Sequence, residues 1–132
     1  MTRPLIYVAS PYTKGDPTIN THFQCRIFDQ LLTDGVVIPF VPLWSHFQHC
    51  VFPRHYEDWI NYDLDFIRAA NFAACLRLNA TCNYLPDYLI TESSGADGEE
   101  ALFTELGKPI FYSIDELYEA IETNSLPIGG HQ

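Results

Sequence analysis

The chain has 132 residues, 47% hydrophobic and 14% aromatic, enough apolar material for one packed domain and too much for a disordered one. A formal charge of -10 with only seven Lys and Arg excludes the broad basic face that a nucleic-acid polymer requires. No apolar run reaches the roughly 20 residues that span a bilayer, MTRPLIYVAS lacks a signal-peptide pattern, and Cys25, Cys50, Cys75 and Cys82 show no CxxC spacing. The expectation is a cytoplasmic protein with reduced thiols and no membrane contact.

PLIYVA (4–9) is rich in strand formers, and SPYTKGDP after it carries turn chemistry. Asp16 followed by Pro17 reads as an N-cap and first helical residue, opening a helix that Gly35 ends and whose Phe23, Ile27 and Leu31 face a sheet. VVIPFV (36–41) is a second strand, bounded by prolines. A loop carrying PLWSHFQHCVFP follows, then a helix from about Arg54 to Ala70 and the strand FAACLRL (72–78). After NATCNYLPDY, the run YLIT is a further extended segment, a third helix starts near Gly95, and KPIFY makes another strand. SIDELYEAIE is a last helix with a capping box from Ser113 to Glu116. This alternation implies a single-domain α/β fold over 1–125, Rossmann/flavodoxin-like and three-layered, with a mostly parallel sheet of about five strands; 126–132 is expected to be a loose tail.

Ligands of such sheets bind outside the carboxyl ends of the strands, which gathers the loops after Ala9, Val41, Leu78 and Thr91 around one crevice. In the third helix Glu99 precedes Leu102 and Phe103 by three and four residues, so it extends the apolar stripe of Leu102, Phe103 and Leu106, while Glu100 turns toward Thr104. First-turn glutamates also simply complement a helix dipole. Asp63 repeats the oddity, sitting within the stripe of Trp59, Phe66, Ile67 and Ala70, where an unpaired charge is costly and needs a partner or a task. Two inward carboxylates beside one crevice are the equipment of nucleophile-plus-acid chemistry at an acetal-like carbon. Tyr7 takes the opposite strand face from Ile6 and Val8, as a carboxylate holder, an acid–base relay or a packed aromatic. Ser10, Thr13, Lys14 and Gly15 precede a helix start, an arrangement suited to a phosphate.

With IYVASPY, YDLDFIRAANFAACLRL and SSGADGEEALFTELGKPIFY in place, the chain resembles the nucleoside 2-deoxyribosyltransferase-like superfamily, which includes the 2'-deoxynucleoside 5'-monophosphate N-glycosidases. The likeness covers most of the chain. It implies that Glu99 is the nucleophile attacking the sugar C1', that Tyr7 positions it, that Asp63 protonates or orients the leaving base, and that Ser93 contacts a 5'-phosphate beside the helix start at Gly95. Ser45 and His46 resemble a Ser–His pair of small uncharacterised members, and are expected to contact substrate. Asn71 departs from the aspartate that relatives often carry there, and NATCNYLPDYLITE lengthens the approach to Ser93 like an insertion.

The expected activity is N-glycosidic cleavage or base exchange on a (deoxy)nucleoside or its 5'-monophosphate, with no cofactor or metal and no partner beyond the small-molecule substrate and other copies in a homo-oligomer. Two other classes compete. His46, His49, Cys50 and His55 crowd one segment and would serve a zinc enzyme, although without a ligand spacing that zinc sites use. A nucleotide-binding module without turnover would share the fold. The aromatics after Val41, Trp44 and Phe47 among them, are candidates for a wall against a base, a core or an interface.

Overall fold

The computed structural model describes residues 2–124 and 126. In chain order the elements are β1 (Leu5–Ala9), α1 (Pro17–Asp34), β2 (Ile38–Phe40), α2 (Trp44–Val51), α3 (Tyr56–Ala69), β3 (Ala74–Arg77), β4 (Ala80–Thr81), β5 (Leu89–Ile90), α4 (Ser94–Glu105), β6 (Ile110–Phe111) and α5 (Ile114–Glu122). The central sheet runs β2-β1-β3-β6, every neighbouring pair parallel. The alternation of side chains along β1 divides the core between its two faces. Ile6 and Val8 join Phe23, Ile27 and Leu31 of α1 and Leu117 of α5; Tyr7 and Ala9 join Ile67 of α3 and Ala96, Leu102 and Phe103 of α4. The fold is thus the expected three-layer α/β architecture.

Local chemistry sets the boundaries. The Asp16 carboxylate accepts from the N–H groups of Thr18 and Ile19 at 2.9 and 3.4 Å, and Gly35 closes α1 at φ 69°, a left-handed conformation that glycine adopts without strain. Pro39 lies inside β2 without breaking the sheet, because β2 is an edge strand. In α5 the Ser113 hydroxyl accepts from the Glu116 N–H at 3.1 Å, and the Glu116 carboxylate reaches back one residue beyond the capping box to the Tyr112 N–H, also at 3.1 Å.

Four expectations are corrected. The central sheet has four strands among the described residues rather than about five, because Leu89–Ile90 leaves it to pair antiparallel with Ala80–Thr81. The segment expected as a loop after Pro42 contains α2; it has no side-chain cap and buries no residue, and its apolar Trp44, Phe47 and Val51, at helical spacing, face solvent. Leu106 lies at the C-cap of α4 and is 40% exposed, not part of the buried stripe. Leu126, expected to begin a loose tail, is buried with the α1–α5 core, while 127–132 lie outside the described residues. No helix among the described residues is long and apolar enough to cross a membrane.

The β4–β5 ribbon braces the loop after β1 instead of merely lengthening the approach to Ser93. The Tyr88 hydroxyl accepts from the Asp16 N–H at 2.9 Å and donates to Asn20 Oδ1 at 2.7 Å. Asn20, fully buried, donates through Nδ2 to the Tyr12 and Lys14 carbonyls at 2.8 and 2.6 Å. Gly15 completes the seam: at φ 76° it faces Tyr88 and Ile90 so closely that a Cβ would stand 2.7 Å from either side chain. Replacing Asn20 by Ala strands two loop carbonyls and the Tyr88 hydroxyl, and is expected to cost about 2 kcal/mol in equilibrium urea unfolding.

Candidate functional site

From β1 the chain steps to β2 on one side and then to β3 on the other, so the strand order switches direction at the β1–β3 seam. A crevice belongs at such a switch point. A cleft of about 300 Å³ opens there, and Ser10, Ser45, His46, Asp63, Ser93, Gly95 and Glu99 all line it. Tyr7 stands behind Glu99, fully buried. Lys14 does not reach the lining; its ammonium is exposed and lies 3.8 Å from the Glu92 carboxylate. Asn71 is exposed and also outside the lining.

Glu99 shares the buried face of α4 with Ala96, Leu102 and Phe103, at helical spacings of three and four residues. Glu100, one residue on, turns outward to accept the Tyr112 hydroxyl at 2.7 Å. The Tyr7 hydroxyl donates to Glu99 Oε2 at 2.5 Å. The phenol has little freedom to leave, since Phe72 meets its ring edge-on at 5.2 Å between centroids and Phe40 and Phe103 flank it.

Asp63 reaches the same point from α3, and the two carboxyls act on each other through charge and hydrogen bonding. Burial pushes Glu99 up to about 8, and Asp63 adds to the rise against the opposing pull of the Tyr7 hydrogen bond. Asp63 itself is pushed up to about 6, again by burial first. Both shifts favour the protonated form, so near neutral pH the coupled pair holds one proton between its two carboxyls. Burial likewise raises the Tyr7 phenol well above its ordinary range, with the Glu99 charge second, so the hydroxyl stays a donor.

The other expected residues have structural partners as well. The Ser10 hydroxyl accepts from Gln24 Nε2 at 3.0 Å. Ser93 is the N-cap of α4, accepting from the Ala96 N–H at 3.1 Å, which leaves its hydroxyl hydrogen to donate elsewhere. Ser45 donates to the Pro42 carbonyl at 3.4 Å, and His46 Nδ1 hydrogen-bonds the Tyr12 hydroxyl. At Gly95 a Cβ would come within 2.9 Å of the Tyr56 hydroxyl and 3.0 Å of Ile60 Cδ1, so this glycine lets α3 close on the first turn of α4.

Several side chains of the site escape the sequence reading. The aromatic members of the lining are Tyr12, Tyr56 and Trp59, whereas Trp44 and Phe47, considered for a base-facing wall, are 68% and 51% exposed on α2 and lie outside it. His49 Nδ1 accepts from the Trp59 indole at 2.9 Å and the Arg54 N–H at 3.1 Å, which places the ring hydrogen on Nε2. Arg54 brings a guanidinium to the lining, 3.1 Å from Asp58. Arg77, buried at the end of β3, contacts Asp97 and Glu100 on either side of Glu99. An arginine inside an apolar strand run was the available signal for it; nothing local marks Arg54, and His49 stood out only within the histidine-rich segment weighed for zinc. Among the described residues no group of three or more His, Cys, Asp or Glu is placed to hold a metal ion, so the histidines of the 46–55 segment do not converge on one point.

No protein-family model, curated protein or solved structure matches the chain.

The raised carboxyls have a thermodynamic signature. Unfolded, both ionise near pH 4; folded, they keep protons to about pH 6 and about pH 8, so the native state binds more protons across that interval and stability falls as pH rises through it. Glu99→Gln removes most of that dependence. Urea titrations are expected to show the variant gaining on the wild type by on the order of 3 kcal/mol between pH 5 and pH 8, with the two converging below pH 4.

Proposed function

We propose that the chain cleaves the N-glycosidic bond of a (deoxy)nucleoside or (deoxy)nucleoside 5'-monophosphate through a covalent glycosyl–Glu99 intermediate, in keeping with the superfamily it resembles. The observation that carries the reading is the buried Glu99 carboxyl, held by the Tyr7 hydroxyl at 2.5 Å and faced by a second carboxyl across a cleft at the sheet's switch point.

The proton shared by the two acids moves from Glu99 to Asp63 as the sugar enters, along the contact between them, and the Tyr7 hydroxyl favours the charge left on Glu99. A Glu99 oxygen then bonds to C1' while the C1'–N bond breaks; its electron pair leaves with the base, which takes the Asp63 proton. The transition state has oxocarbenium character, and the intermediate is an ester of Glu99. Asp63, now a carboxylate, takes a proton from water as the water oxygen attacks C1', releasing the sugar and restoring Glu99. In base exchange a second nucleobase nitrogen attacks instead. No step needs a cofactor or metal.

Tyr12, Tyr56 and Trp59 offer the base apolar faces, and His49 Nε2–H offers a donor. A 5'-phosphate would meet Ser10, Ser93 and Arg54, with Lys14 remaining outside. We place this chemistry in a cytoplasmic homo-oligomer, a state the resemblance implies and for which the exposed Trp44, Val51 and Phe52 provide apolar surface.

The test is a panel of deoxynucleosides, ribonucleosides and their 5'-monophosphates, with and without acceptor base, resolved by liquid chromatography. Base release or exchange is expected with the wild type, reduced at least about 1000-fold by Glu99→Gln and about 100-fold or more by Asp63→Asn. Ligand binding without turnover of any member, or turnover that survives Glu99→Gln, would overturn the reading in favour of a binding module or a different nucleophile.

A further inference from the structure

We propose that Arg77 is the positioning residue for Glu99: its buried guanidinium ties the end of β3 to Asp97 and Glu100 and so fixes the rotation of the first turns of α4 that holds Glu99 against Tyr7. The inference rests on Glu99 being the working carboxylate of the proposed function, although its first readout does not.

Arg77 ends β3 opposite Ala9, two residues after Cys75, which pairs with Tyr7, so Tyr7 and Arg77 rise from the same face of the sheet toward α4. Only 8% of Arg77 is exposed. Nη1 donates to the Leu78 carbonyl at 2.9 Å, and Nη2 donates to the Thr91 carbonyl at 3.3 Å and to Asp97 Oδ1 at 3.1 Å. Nε, shielded from solvent, makes no hydrogen bond and lies 3.6 Å from Glu100 Oε1. One side chain thus ties the end of β3, the segment entering α4 and two residues of α4 itself. Asp97 and Glu100 bracket Glu99 in sequence, so any rotation of the helix that withdrew Glu99 from Tyr7 would also break both ion pairs.

A helix could be docked on this sheet without an arginine, since burying a guanidinium is costly and an apolar side chain of similar length fills space as well. The cation has a different use here. The groups acting on Glu99 are Tyr7 from β1, Asp63 from α3 and Arg77 from β3, with Cys75 beside them on β3. Burial and Asp63 oppose its ionisation; the Tyr7 hydrogen bond and the Arg77 charge favour it. Arg77 is the one cation in that set among the described residues. Its counter-ions differ in setting, Asp97 being largely exposed and water-screened and Glu100 half-buried at 3.6 Å from Nε.

Arg77→Met and Arg77→Lys test the idea, with Glu99 titrated by carbon NMR in labelled protein, a measurement that needs no substrate. Arg77→Met is expected to raise the Glu99 midpoint by about one pH unit, a tenfold loss of acidity, and Arg77→Lys to restore most of it. The ascending limb of the base-release profile should move to higher pH with the midpoint, and kcat should fall while KM changes less than about threefold. A folded Arg77→Met protein with an unchanged midpoint overturns the proposal. If Arg77→Met does not fold, the Asp97→Asn, Glu100→Gln double variant, which alters exposed or half-exposed groups, cuts both ties to α4; the Glu99 carboxyl carbon signal should then move toward its position in Tyr7→Phe, and a signal that stays with the wild type overturns the proposal. Midpoints that shift in a protein with no base release would sink the glycosyl-transfer reading and leave the role of Arg77 standing, whereas base release with unmoved midpoints would do the reverse.

Discussion

The hydrogen bond from Tyr7 to Glu99 joins an interior strand to the helix packed across it, and most of the structure on that side of the sheet serves to keep it in place. A carboxyl that is 6% exposed has given up nearly all its water. The phenol is the replacement that the fold supplies, and it can do so only because its ring is fixed among Phe40, Phe72 and Phe103. Those rings belong to β2, the segment preceding β3, and α4, so the position of one hydroxyl depends on three separate parts of the chain. Gly95 permits α3 to approach α4, which brings Asp63 within reach of the same carboxyl. Charge, packing and close approach converge on a few atoms.

The other face of the sheet does quieter work. Its core of Ile6, Val8, Phe23, Ile27, Leu31 and Leu117 is wholly aliphatic and aromatic, and it holds β1 rigid at the point where the polar loop begins. That loop would otherwise be free to move, since it carries Gly15 and many exposed residues. Asn20 and Tyr88 remove the freedom by taking up its backbone groups, which fixes Ser10 and Tyr12 at the rim of the cleft. A site built at a switch point gains from this division, because one face supplies stability and the other can carry buried charge.

The sequence made the fold legible where periodicity and capping agree. Asp16–Pro17, Gly35, Ser113 and the Phe23–Ile27–Leu31 spacing all mark features that the structure has, and the positions of Glu99 and Asp63 on otherwise apolar helix faces led directly to the cleft. What stayed hidden depends on contacts between distant segments. Leu89–Ile90 has the composition of a sheet strand, but two residues cannot reveal which partner they choose, and they chose Ala80–Thr81. α2 carries its apolar period, Trp44, Phe47 and Val51, on an exposed face of only eight residues. Lys14 looked suited to a phosphate from its neighbours in sequence, yet the Asn20 contact with its carbonyl fixes the backbone while the side chain turns to Glu92. Arg77 was visible as a charge in an apolar run, but its meaning required the three-dimensional placement of Thr91, Asp97 and Glu100.

The resting position of the shared proton bears on how such a site could avoid reacting with water. An ionised, desolvated Glu99 beside a solvated cleft would be a strong nucleophile with a high cost of burial; holding the proton on Glu99 lowers that cost while the cleft is empty. Asp63 lines the same cleft and acts on Glu99 electrostatically, so a proton passed between the two would redistribute the charge without entering from outside. A sugar ring with developing positive charge at C1' would itself favour the anion at Glu99, so the charged nucleophile would form only when there is something to attack. Tyr7 and Arg77 favour that ionised state, while burial and Asp63 oppose it. Under the proposed chemistry, the empty and the occupied cleft would differ in which of two neighbouring carboxyls carries one proton.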